Sequence, residues 1–204
     1  MKLLITGFDP FGGEALNPSW EAVKALPDRI GSVELIKLEL PTAFDRSARC
    51  LTEAVTLHRP QAVLSVGQAG GRAAVTVERV AVNLADAAIP DNDGFQPRDL
   101  PLVPGGPAAY FSTLPVKAIT EGIRAAGIPC QLSYSAGTYV CNSVLYRALH
   151  LAGTACPGLL AGFIHVPFTP LQAAQKPAGT PSMAPGDMVR ALEEAVYVIG
   201  SLSL

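Results

Sequence analysis

The sequence has few of the charges on which nucleic-acid binding depends. Charged side chains make up 16% of its 204 residues, against an average of about 25%, and 15 basic residues stand against 17 acidic ones. No segment concentrates Lys or Arg into a stripe that could follow a phosphate backbone. We therefore expect no nucleic-acid partner. The apolar fraction of 49% is sufficient for one hydrophobic core.

Long hydrophobic runs are also absent. No stretch of about 18 consecutive apolar residues occurs, and the apolar run near the N-terminus ends at Gly7, well short of a signal-peptide core. We expect a cytoplasmic protein without a membrane partner. Its four cysteines form no Cys-x-x-Cys pair, and cytoplasmic thiols normally stay reduced, so we expect no disulfide.

Several motifs of nucleotide, metal and serine chemistry are missing. Gly7 and Gly12 have the spacing of a phosphate loop, but Gly13-Glu14 follows where Lys-Ser or Lys-Thr would stand. No Gly-x-Gly-x-x-Gly follows a predicted strand, and no Gly-x-Ser-x-Gly is present. The three histidines form no i, i+4 pair. We expect neither a metal nor another cofactor.

Alternating strand and helix patterns predict an α/β fold. Apolar runs at 2–8, 33–40 and 62–66 predict buried strands, and helices are expected from Asn17-Pro18 to about Leu26 and over 42–58. The later elements are a helix at 114–126, a strand at 130–134, a helix from about 141, a strand at 159–166 and a helix at about 187–202. This order predicts one domain, 1–204, with helices on both faces of a mostly parallel, twisted sheet.

Two loops and one irregular strand stand out. Segments 85–107 and 167–185 are rich in Pro, and loops of such length are often functional. We expect the first to cover the active site, and the second to be either a lid or a subunit contact. The apolar positions from Val75 onward change from odd to even after Glu78, which predicts a bulge or kink there.

Cys141 and His165 are the strongest candidates for catalysis. Cys141 follows a Gly-containing turn where a helix is expected to begin, and a helix N-terminus favours a thiolate. His165 lies near the carboxyl end of a predicted strand, the edge where α/β sites usually form. Each has a simpler explanation. Cys141 could be a small buried residue, His165 a core histidine, and Glu78 a surface partner of Arg79.

Eight segments that extend over nearly the whole chain together match one known family. They are Gly7–Gly13, Asn17–Glu21, Val66–Arg72, Glu78–Leu84, Pro90–Asn92, Gly105–Pro107, Ala136–Asn142 and Phe163–Pro167. Taken together, they resemble the pyroglutamyl peptidase I family, also called pyrrolidone carboxyl peptidases.

The resemblance implies a catalytic triad of Cys141 as nucleophile, His165 as base and Glu78 as the orienting carboxylate. It also implies a homo-oligomer, commonly a tetramer. The residues implied to line the pocket for the pyroglutamyl ring are Phe8, Phe11, Asn17 and Gln68. In one departure from the family, Ala88 stands before Ile89-Pro90-Asp91 where members usually carry Arg.

The resemblance implies hydrolysis of the amide bond after an N-terminal pyroglutamyl residue of a peptide, through a thioester on Cys141. We expect the helix dipole and an imidazolium to lower the pKa of the thiol. Two alternatives stay open. The protein could bind pyroglutamyl peptides without turnover, because Ala88 replaces the family's Arg, or it could be a nucleoside phosphorylase-like enzyme of a similar architecture, for which no cation cluster is apparent.

Overall fold

A seven-stranded sheet forms the centre of the protein in a computed structural model that describes residues 1–202. The strands are β1 (Lys2–Phe8), β2 (Arg29–Ile30), β3 (Val33–Leu40), β4 (Ala62–Gln68), β5 (Val75–Glu78), β6 (Val80–Val82), β7 (Ala109–Phe111), β8 (Cys130–Ser133) and β9 (Leu160–Val166). The helices are α1 (Pro18–Ala25), α2 (Phe44–His58), α3 (Val116–Ala125), α4 (Val140–Gly153), α5 (Pro170–Ala173) and α6 (Pro185–Gly200).

The sheet has the order β2-β3-β1-β4-β9-β5-β8 and is mostly parallel. Strands β3, β1, β4 and β9 run in one direction, β5 is antiparallel to β9, and β8 is parallel to β5. The central strands β1, β4 and β9 are buried almost throughout, as strands covered on both faces must be. The predicted α/β class is confirmed.

Each face of the sheet contributes to its own hydrophobic core. Leu3, Ile5 and Ile164 pack with α1, α3 and α6 on one face. Leu4 and Phe163 pack with α2 and α4 on the other. Because successive strand residues point to opposite faces, uninterrupted apolar strands supply both cores. The result is a three-layer α/β/α sandwich, with no helix among residues 1–202 that combines the length and apolar character needed to cross a bilayer.

The chain changes direction after Glu78, as the sequence predicts. The irregularity is a break between strands and not a bulge within one, because β5 ends at Glu78 in the main sheet and β6 pairs antiparallel with β7 in a separate two-stranded sheet. The apolar positions change parity because β5 and β6 face different neighbours. The short elements β2, β7 and α5 lack the periodicity needed for prediction and were not expected.

Segment 85–107 is an ordered loop fixed to the main body by side chains. Asp91 Oδ2 accepts a hydrogen bond of 2.9 Å from the backbone N–H of Phe44, the first residue of α2, whose N-cap Ala43 has no capping side chain. Asn92 donates to Asp9 Oδ1 and to the Pro10 carbonyl. The loop therefore supplies a helix cap that the sequence next to α2 lacks.

Candidate active site

The candidate catalytic side chains meet at one edge of the sheet. His165 lies one residue before the end of β9, and it pairs with Thr76 of the antiparallel strand β5. Glu78, two residues further along β5, points to the same face as Thr76. Glu78 is paired with Phe163, two residues before His165 on β9, so its carboxylate is a diagonal neighbour of the imidazole on the same face of the sheet.

His165 and Glu78 form a buried pair. The distance from His165 Nδ1 to Glu78 Oε1 is 2.8 Å, and the two residues are 4% and 0% exposed. The same Oε1 accepts hydrogen bonds from Arg72 Nη1 at 2.8 Å and from Thr76 Oγ1 at 3.3 Å. Since a carboxylate only accepts, the proton lies on His165 Nδ1, and Nε2 is the ring nitrogen available for proton transfer.

The sulfur of Cys141 lies over a glycine that is the neighbour of His165 in the sheet. It is the second residue of α4, and Gly67 is paired with His165 in the parallel ladder of β4 and β9. A Cβ on Gly67 would lie 2.7 Å from Cys141 Sγ and 2.8 Å from Phe163 Cζ. Paired residues of neighbouring strands point to the same face, so the sulfur occupies the volume that a side chain beside His165 would otherwise fill.

A pocket of about 190 Å³ opens at this point. All four residues expected to bind the ring line it together with Cys141 and His165, and the remaining lining residues come from the loops around them. The complete lining is Phe8, Phe11, Asn17, Thr42, Gln68, Ala69, Arg72, Ala136, Gly137, Tyr139, Cys141 and His165. Phe8, Phe11 and Tyr139 contribute aromatic rings to its wall, and the ring centroids of Phe11 and Tyr139 are 6.1 Å apart.

Comparison with known proteins decides the family. The family model described as pyroglutamyl peptidase matches residues 1–201. The chain belongs to the pyroglutamyl peptidase family.

Individual relatives are similar to this chain in sequence and structure over almost their entire length. The pyrrolidone-carboxylate peptidase of Levilactobacillus brevis is 55% identical over 199 residues, which are 98% of this chain and 97% of that protein. The crystal structure of pyroglutamyl peptidase I from Bacillus amyloliquefaciens superposes with a TM-score of 0.95 at 44% identity, covering 98% and 95% of the two chains. The pyrrolidone carboxyl peptidase of Thermococcus litoralis gives 0.94 at 44% identity, covering 97% and 92%.

In this member of the pyroglutamyl peptidase family, the carboxyl group of Glu78 is held in its ionised form. Burial acts to raise its pKa, but the hydrogen bond and charge of His165 act in the opposite direction, and so does the hydrogen bond from Arg72. The net result is a pKa below the ordinary value. The simpler explanation of Glu78 as a partner of Arg79 is wrong, because the Arg79 guanidinium lies 5.4 Å over the Phe111 ring.

The thiol of Cys141 does not have the lowered pKa expected from its position at a helix start. Burial raises the pKa to about 12, the negative charge of Glu78 adds to the rise, and the positive charge of Arg72 opposes it. The effect of the helix start is outweighed because desolvation of the sulfur and the nearby carboxylate of Glu78 both disfavour the thiolate. A pKa this far above neutrality means that the resting thiol keeps its proton at neutral pH.

Asn17 and Ala88 differ from the expected picture of the pyroglutamyl peptidase site. Asn17 lines the pocket, but its side chain caps α1. Its Oδ1 accepts from the N–H and the hydroxyl of Ser19, and its Nδ2 donates to the Asp9 carbonyl. Ala88 is exposed and does not line the pocket. The positive charge at the site comes from Arg72, which lies in a segment that resembles the family but was not identified beforehand as a site residue.

Proposed function

We propose that this protein is a cysteine peptidase that hydrolyses the amide bond after an N-terminal pyroglutamyl residue of a peptide. The observation that carries the proposal is the hydrogen-bonded Glu78–His165 pair beside Cys141 at a small aromatic pocket, in a chain of this family. A pocket of about 190 Å³ has room for a single small ring.

In the first half-reaction, Cys141 Sγ attacks the carbonyl carbon that joins pyroglutamate to the next residue. His165 Nε2 accepts the thiol proton and delivers it to the departing amine nitrogen as the C–N bond breaks. The product is a thioester of pyroglutamate on Cys141. Glu78 holds the ring by its Nδ1–H and stabilises the imidazolium, as the acidic member of other triads does.

Water completes the cycle. His165 Nε2 takes a proton from a water molecule, whose oxygen attacks the thioester carbonyl, and the proton then returns to the sulfur as free pyroglutamate leaves. The negative oxygen formed in both steps needs donors. The start of α4 supplies backbone N–H groups, because its N-cap Tyr139 makes no side-chain capping bond. One such donor typically contributes about 2.7–4 kcal/mol.

Selectivity for pyroglutamate follows from the polar groups of its ring. The lactam has one N–H and one C=O, and a prolyl ring has no C=O. A pocket group that pairs with the lactam carbonyl is left unsatisfied by a prolyl substrate, at a cost of roughly 1–3 kcal/mol. Gln68 is the amide best placed for this contact, because Asn17 is committed to the α1 cap.

The decisive experiment compares a pyroglutamyl fluorogenic amide with its prolyl counterpart, using the wild type and Cys141→Ala. We expect rapid pyroglutamyl hydrolysis by the wild type, loss on treatment with iodoacetamide, and no turnover by Cys141→Ala. Activity that survives the substitution would remove Cys141 as nucleophile. Binding without turnover by the wild type would instead indicate a binding module, and phosphate-dependent cleavage of nucleosides would indicate the phosphorylase alternative.

The setting of the reaction is also a proposal. We infer a cytoplasmic enzyme, since all four cysteines are free thiols and such thiols persist in reducing compartments. We infer a homo-oligomer, a tetramer in the form suggested by the family resemblance. Sedimentation velocity of the purified protein measures the particle mass, and a single species of about 21.2 kDa would contradict it.

A further inference from the structure

A buried glutamine outside the pocket is hydrogen-bonded to the pocket amide Gln68. Gln172 lies in α5, is 4% exposed, and donates from Nε2 to Gln68 Oε1 at 2.9 Å. It belongs to the segment 167–185, where the sequence predicts either a lid or a subunit contact. Neither expectation explains why a buried amide from this segment should meet a residue of the pocket.

The orientation of the Gln172 amide is fixed by groups that cannot exchange roles. Its Oε1 accepts from the backbone N–H of Thr169 at 3.0 Å and from the Thr169 hydroxyl at 3.2 Å. A backbone N–H can only donate, so the oxygen must face Thr169. On the other side, Nε2 lies 3.2 Å from Glu14 Oε2, and a carboxylate can only accept. Two independent partners therefore fix Nε2 as the end that faces Gln68.

Glu14 remains ionised and keeps this role. Its Oε1 lies 2.6 Å from Lys176 Nζ, and the hydrogen bond from Lys176 is the main reason that the pKa of the carboxyl is lowered. Lys176 is itself held over the Phe168 ring at 4.9 Å. The acceptor that orients Gln172 is thus present at neutral pH.

The Gln68 amide is therefore held in one orientation, with its oxygen toward Gln172 and its nitrogen toward the pocket. Because its Oε1 is occupied by Gln172, its Nε2 is the end left for the pocket, and no protein acceptor contacts that nitrogen within residues 1–202. Without Gln172, the amide could rotate by half a turn and present oxygen instead, since the two ends have nearly the same shape.

We propose that Gln172 is a positioning residue that fixes Gln68 as a hydrogen-bond donor to the lactam carbonyl of the substrate, and thereby sets the specificity of the pocket. This inference rests on the proposed function, because it takes the pyroglutamyl ring as the ligand. The contact forms in the bound substrate as well as in the transition state. It therefore acts on KM and leaves kcat largely unchanged.

The test measures kcat and KM for a pyroglutamyl fluorogenic amide. The variants are Gln172→Met, Gln172→Glu, Gln68→Met, the double variant Gln68→Met/Gln172→Met, and the control Gln175→Met. For Gln172→Met we expect KM to rise about 3- to 10-fold, the equivalent of one hydrogen bond, with kcat within about twofold. Gln175 is an exposed glutamine three residues away, and Gln175→Met should leave both constants unchanged.

Gln172→Glu removes the donor and keeps the acceptor. Its carboxylate still accepts from Thr169 and keeps the capping bonds of α5. It also places a negative charge next to Glu14, which Lys176 offsets only in part, so the unfolding free energy of this variant is measured together with kcat and KM. The carboxylate at position 172 can no longer donate to Gln68 Oε1. Gln68 should then turn its nitrogen toward this carboxylate and its oxygen toward the pocket, where it faces the lactam carbonyl, so KM should rise more than in Gln172→Met. In the Gln68→Met background, Gln172→Met should raise KM no further.

Three results would overturn the inference. These are an unchanged KM in Gln172→Met, a fall in kcat alone, or the same rise in KM in the wild-type and Gln68→Met backgrounds, which would show that Gln172 acts independently of Gln68. Failure of the proposed function would look different. In that case the wild type itself would not hydrolyse the pyroglutamyl amide.

Discussion

At the scale of single residues, the site depends on Gly67, which has no side chain. Gly67 has neither a turn nor a positive φ to explain it, and a Cβ there would lie 2.7 Å from Cys141 Sγ. The glycine leaves room for a sulfur supplied by a different element, and its pairing with His165 brings that sulfur beside the imidazole. Close approach of another group is one of the recurring reasons for glycine inside a strand.

Gly67→Ala tests this explanation. The added methyl must push Cys141 Sγ or the Phe163 ring away, and overpacking of a filled site typically costs about 1–3 kcal/mol. We expect a lower midpoint of thermal unfolding and a fall in kcat of about 100-fold, the effect of misplacing a reacting atom by about 1 Å.

The matched control is Gly186→Ala near the start of α6. No heavy atom lies within 4 Å of a Cβ there, and alanine restricts the unfolded chain. This variant should keep full activity and equal or higher stability. If Gly67→Ala behaved in the same way, the sulfur would not depend on the space above Gly67.

At the scale of secondary structure, α2 and α4 both begin at an N-cap residue that makes no side-chain capping bond. The N–H groups at the two helix starts have different surroundings. The start of α4 is left open toward the pocket, which suits a group that is to bind a negative oxygen. The start of α2 is closed by Asp91 from a loop 47 residues further along the chain. Asp91 also accepts from the N–H groups of Asp93 and Phe95, so it orders the loop and the helix together.

Asp91→Ala should therefore destabilise the protein by about 1–2 kcal/mol, the usual cost of losing a helix cap. The measurement is urea unfolding followed by circular dichroism. Asp93→Ala is the matched control, because Asp93 forms an exposed pair with Arg46 and such pairs contribute about 0–1 kcal/mol. Equal losses in the two variants would show that the Asp91 bonds add nothing beyond a surface charge.

At the scale of the whole molecule, stability should depend on the charge of Glu78. Its pKa is lower in the folded protein than its ordinary value of 4.5, so the unfolded chain binds the proton more readily. The stabilisation is fully present above the unfolded pKa, and it is lost as the pH falls through the folded pKa. Acidification must therefore weaken the fold through this group.

Glu78→Gln provides the measurement. The variant leaves Arg72 and His165 without their carboxylate, and we expect a loss of about 1–3 kcal/mol at neutral pH. The difference in unfolding free energy between wild type and variant should be constant above about pH 5.5 and should shrink at lower pH. A difference that does not change with pH would mean that the carboxylate is not ionised in the fold.

The order of strands and helices was determined by the sequence alone, because buried strands and amphipathic helices have different apolar periods and Asn17-Pro18 is a local start signal. Cys141, His165 and Glu78 could also be selected, since each stands at the end or start of an element. Short elements such as α5 could not be predicted from the sequence, because they form through contacts with distant residues.

Only the tertiary structure decided which groups meet at the site and with what polarity. It paired Glu78 with Arg72 and not with its neighbour Arg79, and it raised the pKa of Cys141 by burial. It also oriented the Gln68 amide by a hydrogen bond from Gln172, which lies 104 residues away in the chain. Local patterns fix what each segment becomes, whereas burial, charge pairing and amide orientation depend on groups that only folding brings together.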